Sequence, residues 1–256
     1  MKLLSFLFTS SIGRKLIMAL TGLFLCLFLV VHLIGNLQLF KADGGYAFNH
    51  YAWFMTSNPL IKTVSWGLYA MIILHAVKGI YLALNNRKAR QSRYEVSAGN
   101  ANSSWSSRNM AILGSIIFIF IGIHMGDFWR EYKFGDEITW RSYTENYNTG
   151  KVEYTQYTPE KDQKIYERDI EDGHMLVAKD LYSEVYEAFR QPWIVWIYVL
   201  SMLALAFHLL HGFQSAFQTL GVNHPSYNPI IQFIGRAFAI LVPLGFAAIP
   251  LYVLFQ

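Results

Sequence analysis

Five histidines lie inside long apolar runs of this chain: His32, His75, His124, and the neighbours His208 and His211. An imidazole at membrane depth is costly and marks function by default. Neutral imidazole can ligate iron or zinc, relay protons, or make an interhelical hydrogen bond. The last reading suits a lone histidine, but one histidine on each of four successive runs argues for a shared ligand. His50, His174 and His224 sit in polar stretches, where a solvated ring is the ordinary state.

The elements that must position these rings are five apolar stretches near 15–39, 60–84, 109–130, 192–218 and 230–254. Each is long enough to cross roughly 30 Å of hydrocarbon at about 1.5 Å per residue. Backbone polar groups in lipid must be satisfied within the segment, so the runs are expected to be helices. The first is too long for a signal-peptide core and lacks a small-residue cleavage site, so it counts as a helix of the protein. The expected fold is all-α: a polytopic membrane protein with five transmembrane helices in one bundle.

Between the second and third runs stand Arg87, Lys88, Arg90, Arg93 and Arg108, with only Glu95 against them. The positive-inside rule puts that loop in the cytoplasm. The N-terminus, with Lys2, Arg14 and Lys15, shares that side, and the C-terminus ends outside. Residues 1–130 then hold the first three helices, 131–190 an extracytoplasmic polar insertion, and 191–256 the last two.

The insertion holds most of the acidic residues. Residues Ile138 to Tyr157 alternate polar and aromatic around Asn148-Thr149-Gly150, a β-hairpin signal. Val177 to Arg190 has amphipathic helix spacing and leads to Pro192. The insertion either covers a site near the outer face or is a tolerated addition. No internal repeat is evident among the histidine-bearing runs.

Because the helices alternate direction, the height of each histidine can be counted. His32 and His124 lie about 17 and 15 residues from their inner ends, in the outer half. His75 and His208 lie about nine and ten residues from theirs, in the inner half. The four sort into pairs, His32 with His124 and His75 with His208, displaced by roughly 10 Å along the membrane normal.

Two imidazoles facing at equal height suit a flat iron macrocycle gripped from both sides. Zinc wants four ligands, and no thiol or carboxylate stands near the inner pair. Two haem groups are therefore the expected cofactors. Glycines support this, since a haem edge needs bare backbone: Gly79 and Gly212 follow His75 and His208 by one turn, and Gly35 and Gly122 flank the outer two. Glycine also marks ordinary helix contacts in membranes. His211 shares a face with His208 and competes for the ligand role; Gly212 favours His208, leaving His211 to a propionate or a quinone. Arg14, Lys15 and Lys78 are candidate propionate partners, or cations snorkelling to headgroups.

Composition narrows the rest. More than half of the 256 residues are apolar, and the net charge of +4 comes from basic residues at the edges of apolar runs, which excludes nucleic acid as the partner. The single cysteine, Cys26, cannot hold an iron–sulfur cluster, which must sit in another chain. There is no phosphate loop, nucleophile triad or flavin-binding glycine pattern. No residue is expected to catalyse a reaction of a soluble substrate. The chemistry left is electron transfer, with a lipid-soluble quinone as the partner in the bilayer.

The run Ser11-Ile12-Gly13-Arg14-Lys15, then Met18-Ala19-Leu20-Thr21-Gly22 and His32-Leu33-Ile34-Gly35-Asn36, resembles the start of the dihaem cytochrome b subunit of succinate:quinone oxidoreductases. Leu74-His75-Ala76-Val77-Lys78-Gly79, Ile123-His124-Met125-Gly126-Asp127-Phe128-Trp129, and Phe207-His208 with Gly212 and Gly221 are similar to the same family. The likeness covers all five helices but not the polar insertion.

The resemblance implies two haem b groups in the membrane anchor of a succinate dehydrogenase or fumarate reductase, in the bacterial cytoplasmic (inner) membrane. Flavoprotein and iron–sulfur subunits would bind on the cytoplasmic side. It implies that His75 and His208 hold the haem nearer those partners, and that menaquinone binds near the distal haem. Asn49, His50, Tyr51 and Trp53, between the first two helices, would contribute to that pocket. One departure stands out: some members carry a glutamate two residues before the fourth-helix ligand, linked to proton movement, where this chain has Ala206. Other readings are a haem b subunit of a hydrogenase or formate dehydrogenase, told apart by the metal of the co-purifying partner, and a histidine-lined transporter, told apart by the lack of a haem spectrum.

Overall fold

The computed structural model describes residues 2–89, 103–135, 138–159 and 166–256. Arg90, Arg93 and Glu95, used above for orientation, lie outside the described residues. A short α1 (Lys2–Thr9) leads into α2 (Ser11–Asn36), followed by α3 (Tyr46–Ser57), α4 (Pro59–Lys88), α5 (Trp105–Arg108) and α6 (Met110–His124). After α7 (Glu131–Phe134) come four strands, β1 (Trp140–Asn146), β2 (Val152–Tyr157), β3 (Tyr166–Ile170) and β4 (Gly173–Lys179), then α8 (Leu181–Phe189), α9 (Pro192–Thr219) and α10 (Asn228–Leu254).

Among the described residues, five helical stretches are long and apolar enough to cross a membrane: Ser11–Phe40, Pro59–Lys88, Met110–Phe134, Pro192–Thr219 and Asn228–Leu254. They match the five apolar runs within a few residues at each end. Pro59 and Pro192 open α4 and α9, where the missing N–H of proline costs nothing. Directly after His124, residues Met125–Arg130 form a π-helical stretch, a wider turn that changes the phase of the side chains beyond it.

The chain divides into two compact units. One comprises Met1–Val31, Trp66–Phe120 and Val199–Gly245, and among its described residues every regular element is a helix. Its outer faces carry large apolar side chains, Ile73, Leu203 and Phe233 each being more than half exposed. An exterior of this kind is at rest only against something apolar.

The other unit comprises His32–Ser65, Ile121–Tyr198 and Phe246–Gln256. It holds an antiparallel sheet in the order β2-β1-β4-β3, so the fold is mostly helical but not all-α. The expected hairpin is β1 and β2, with Gly150 at φ 65° in the turn. The expected helix from Val177 is corrected: Val177 to Lys179 finish β4, paired with β1, and the helix begins at Leu181. Alternation explains it, because Leu176 and Ala178 go under α3 in the sheet's core with Tyr143 and Tyr46, while Asp180 breaks the strand and caps α8 by accepting from the Ser183 N–H.

Asn49 of α3 ties this unit together. Only 1% exposed, it donates to the Tyr143 hydroxyl (2.7 Å) and to Asp180 Oδ1 (3.0 Å), and accepts from the Tyr182 N–H (2.9 Å). Arg141 pairs with the other Asp180 oxygen at 2.6 Å and donates to the Gly44 carbonyl and the Ser183 hydroxyl. The buried carboxylate is thus fully partnered, the condition under which a buried charge is tolerated. Gly44 and Gly45, both at positive φ, let the chain enter α3 beneath the rings of Tyr154 and Tyr182, where a Cβ would collide.

Candidate functional site

In the helical unit, α4 and α9 bring His75 and His208 together with ring centres 6.2 Å apart and planes at 67°. In the other unit, His32 of α2 and His124 of α6 meet at 5.7 Å and 82°. Two metal–imidazole bonds of about 2 Å plus the half-width of each ring give roughly 6 Å between ring centres, so both separations suit two rings sharing one metal atom. Zinc would need further ligands around each pair, whereas a macrocyclic iron brings four of its own.

Hydroxyl groups set the tautomers. Thr21 Oγ1 directs its single hydrogen to the Ile17 and Met18 carbonyls and lies 3.0 Å from His75 Nδ1. With that hydrogen on a helix carbonyl the hydroxyl accepts from His75, which puts the proton on Nδ1 and the lone pair on Nε2. The His32–His124 pair repeats the device: the Tyr198 hydroxyl donates to Asp127 Oδ2 at 3.2 Å and lies 3.3 Å from His124 Nδ1. An imidazole held through Nδ1 by a second group is the usual arrangement behind a metal-binding Nε2. Nδ1 of His208 is buried without a hydrogen-bond partner among the described residues, an orphan that calls for an explanation in any core. Asn36 donates to the His32 carbonyl at 2.8 Å and lies against that ring.

The glycines that lie against the histidine rings are Gly22 and Gly114, on neighbouring helices. A Cβ on Gly22 of α2 would meet His75 Cε1 at 3.3 Å, and one on Gly114 of α6 would meet His208 Cε1 at 3.5 Å. Gly79 and Gly212 instead admit the methyl ends of Met18 and Met110, at 3.6 and 3.4 Å. Gly35 lies under the Tyr51 ring, and Gly122 faces open space.

These contacts expose an internal repeat that the expectation of none had missed. Met18, Gly22 and His32 on α2 recur at identical spacing as Met110, Gly114 and His124 on α6. His75 and Gly79 on α4 recur as His208 and Gly212 on α9. In each half, methionine faces the glycine after the histidine, and glycine faces the histidine itself.

His208, not His211, is the ring that meets His75. Arg14 reaches the Tyr81 hydroxyl and lies over its ring at 5.3 Å, while its Nε is buried without a partner among the described residues, a donor suited to an anion. Lys78 lies over Phe8 at 4.7 Å, and Lys15 lines a shallow hollow with Ile12 and Gln218. Of the four residues expected at a quinone pocket, Asn49 is committed to the network above, Tyr51 covers Gly35, and His50 is stacked between Tyr46 and Trp53. A cleft of about 590 Å³ lies elsewhere, walled in part by Ile123, Gly126, Phe128, Ala188 and Ile194 and in part by the charged Asp127, Arg130, Glu131, Glu184 and Glu187. Asp127 links it through Tyr198 to His124.

Comparison of the chain with known protein families, curated proteins and solved structures finds no match.

Proposed function

We propose that this chain is the membrane-anchoring dihaem cytochrome b subunit of a succinate dehydrogenase or fumarate reductase, carrying electrons between a membrane quinone and cytoplasmic iron–sulfur and flavoprotein subunits. One observation carries the reading: four imidazoles on four apolar helices meet as two pairs, at separations that suit two ligands on one iron. The apolar exterior of the long helices supports a bilayer setting.

Haem b bound in each pair would supply a one-electron carrier. The protein's part is to hold the rings. Thr21 and Tyr198 keep the proton on Nδ1 of His75 and His124, so that Nε2 is the donor atom. Gly22 and Gly114 keep side chains off His75 and His208. Arg14 offers a buried N–H to a propionate. The cleft beside Asp127 has space for a quinone headgroup, and its carboxylate can accept a proton from a hydroquinone hydroxyl.

The test is a dithionite-reduced minus oxidised spectrum of the purified chain and of the complex isolated with it. The expected result is a b-type α band, partly developed by a menaquinol analogue alone, with a covalent or tightly bound flavin in the co-purifying protein. A chain without haem absorbance, or a nickel or molybdenum partner, would overturn the assignment.

A further inference from the structure

Away from the intramembrane histidines, a second cluster forms where α3 meets the edge strand β3. Strand register sets it up: Asp169 stands opposite His174, and Glu167, two residues before Asp169, shares its face. His174 Nε2 lies 2.9 Å from Glu167 Oε1, and His50 Nε2 lies 3.0 Å from the same oxygen. The ligand atoms of His50, Glu167 and His174 all fall within 4.8 Å of one another.

Both rings are oriented from behind. Asp169 Oδ1 lies 3.1 Å from His174 Nδ1 and, as a carboxylate, can only accept, so that nitrogen carries the proton. The His50 ring is stacked between Tyr46 and Trp53 at 5.6 and 5.7 Å, which fixes its plane. His174 thus turns Nε2 toward a carboxylate oxygen. Two acceptors at that distance need a cation between them, a proton or a metal ion. Nε2 of His174 is buried and lacks hydrogen-bond geometry to Glu167 despite the short separation, and with His50 Nε2 on the same oxygen the three ligand atoms surround a space that one metal ion fits.

We propose that His50, His174 and Glu167 form a site for one divalent metal ion of the zinc class, with Asp169 as the positioning residue behind His174. Two imidazoles and a carboxylate with a fourth position open to solvent is an established zinc donor set, and a carboxylate behind a ligating histidine is its usual support. The ion would join α3 to the sheet by bonds rather than by packing. His50 then serves this site and not a quinone.

The experiment is equilibrium dialysis of the detergent-solubilised full chain against buffered zinc, with metal counted by elemental analysis and its ligands read by zinc-edge X-ray absorption. The expected result is one saturable zinc per chain with two imidazoles, oxygen and no sulfur, lost in His174→Ala and His50→Ala. Asp169→Asn, which keeps all three ligands, should weaken binding roughly 10- to 100-fold. No saturable zinc in the parent chain would overturn the site, whatever the variants do. So would binding in Asp169→Asn, His50→Ala and His174→Ala equal to that of the parent.

Discussion

The hydroxyl of Thr21 lies 3.0 Å from Nδ1 of His75 and gives its own hydrogen to the Ile17 carbonyl one turn back on α2. A helix that needs no side-chain bond of this kind thereby fixes the tautomer of a ring on α4. Removing the acceptor isolates a buried imidazole N–H, at a cost of about 1–3 kcal/mol. Thr21→Val should therefore weaken haem retention at the His75 pair by roughly 10- to 100-fold, with Thr21→Ser close to the parent. Haem transfer to an excess of an apo-acceptor protein measures this; equal retention in Thr21→Val would remove Thr21 from the account.

Gly22 and Gly114 make a graded pair. The Cβ of alanine at position 22 would press on the His75 ring at 3.3 Å, tighter than usual contact, whereas at position 114 it would meet His208 at an ordinary 3.5 Å. Gly22→Ala should alter the low-spin electron paramagnetic resonance signal of one haem while Gly114→Ala leaves it unchanged, and leucine at either position should expel that haem. The opposite order would mean that neither glycine clears the rings.

Asn49 predicts a structural rather than a redox phenotype. Asn49→Ala strips partners from the Tyr143 hydroxyl, Asp180 and the Tyr182 N–H. The second unit should lose on the order of 2–4 kcal/mol, since each buried group left unpartnered costs about 1–3 kcal/mol before relaxation. Limited proteolysis of the reconstituted protein, read at residues 138–190, should show faster cleavage than in the parent.

Tyr143 makes the same unit sensitive to alkali. Burial, helped by the Asp180 charge, raises its hydroxyl from 10.0 to about 12. The folded form keeps the proton in that interval and the unfolded form does not, so stability is complete below pH 10 and falls as the pH rises toward 12. Tyr143→Phe should flatten this decline in a denaturation series over that range, at the expense of the Asn49 bond. A decline as steep as the parent's would assign the sensitivity to another group.

Much of this was legible beforehand because the physics of long apolar runs leaves few choices. Five helices followed from length alone, and the histidine pairs from counting rise along alternating directions. The sheet was half legible: Asn148-Thr149-Gly150 announced β1 and β2, but β3 is the charged run Tyr-Glu-Arg-Asp-Ile and β4 is apolar enough to pass for a helix start. Glu171-Asp172-Gly173 was the signal that could have joined them as a hairpin. Thr21, Gly22, Gly114 and Tyr198 were not readable as site residues, because their roles depend on which helix lies beside them. The recurrence of Met18, Gly22 and His32 as Met110, Gly114 and His124 was present in the sequence, hidden by the polar segment that separates the second pair of helices unequally.

Haem content per chain tests the central claim most directly. Quantified as the pyridine adduct, the parent should hold two haems, and each of His32→Ala, His75→Ala, His124→Ala and His208→Ala should hold one, with His211→Ala retaining both. A parent without haem, or four histidine variants that all keep the full complement, would contradict the account.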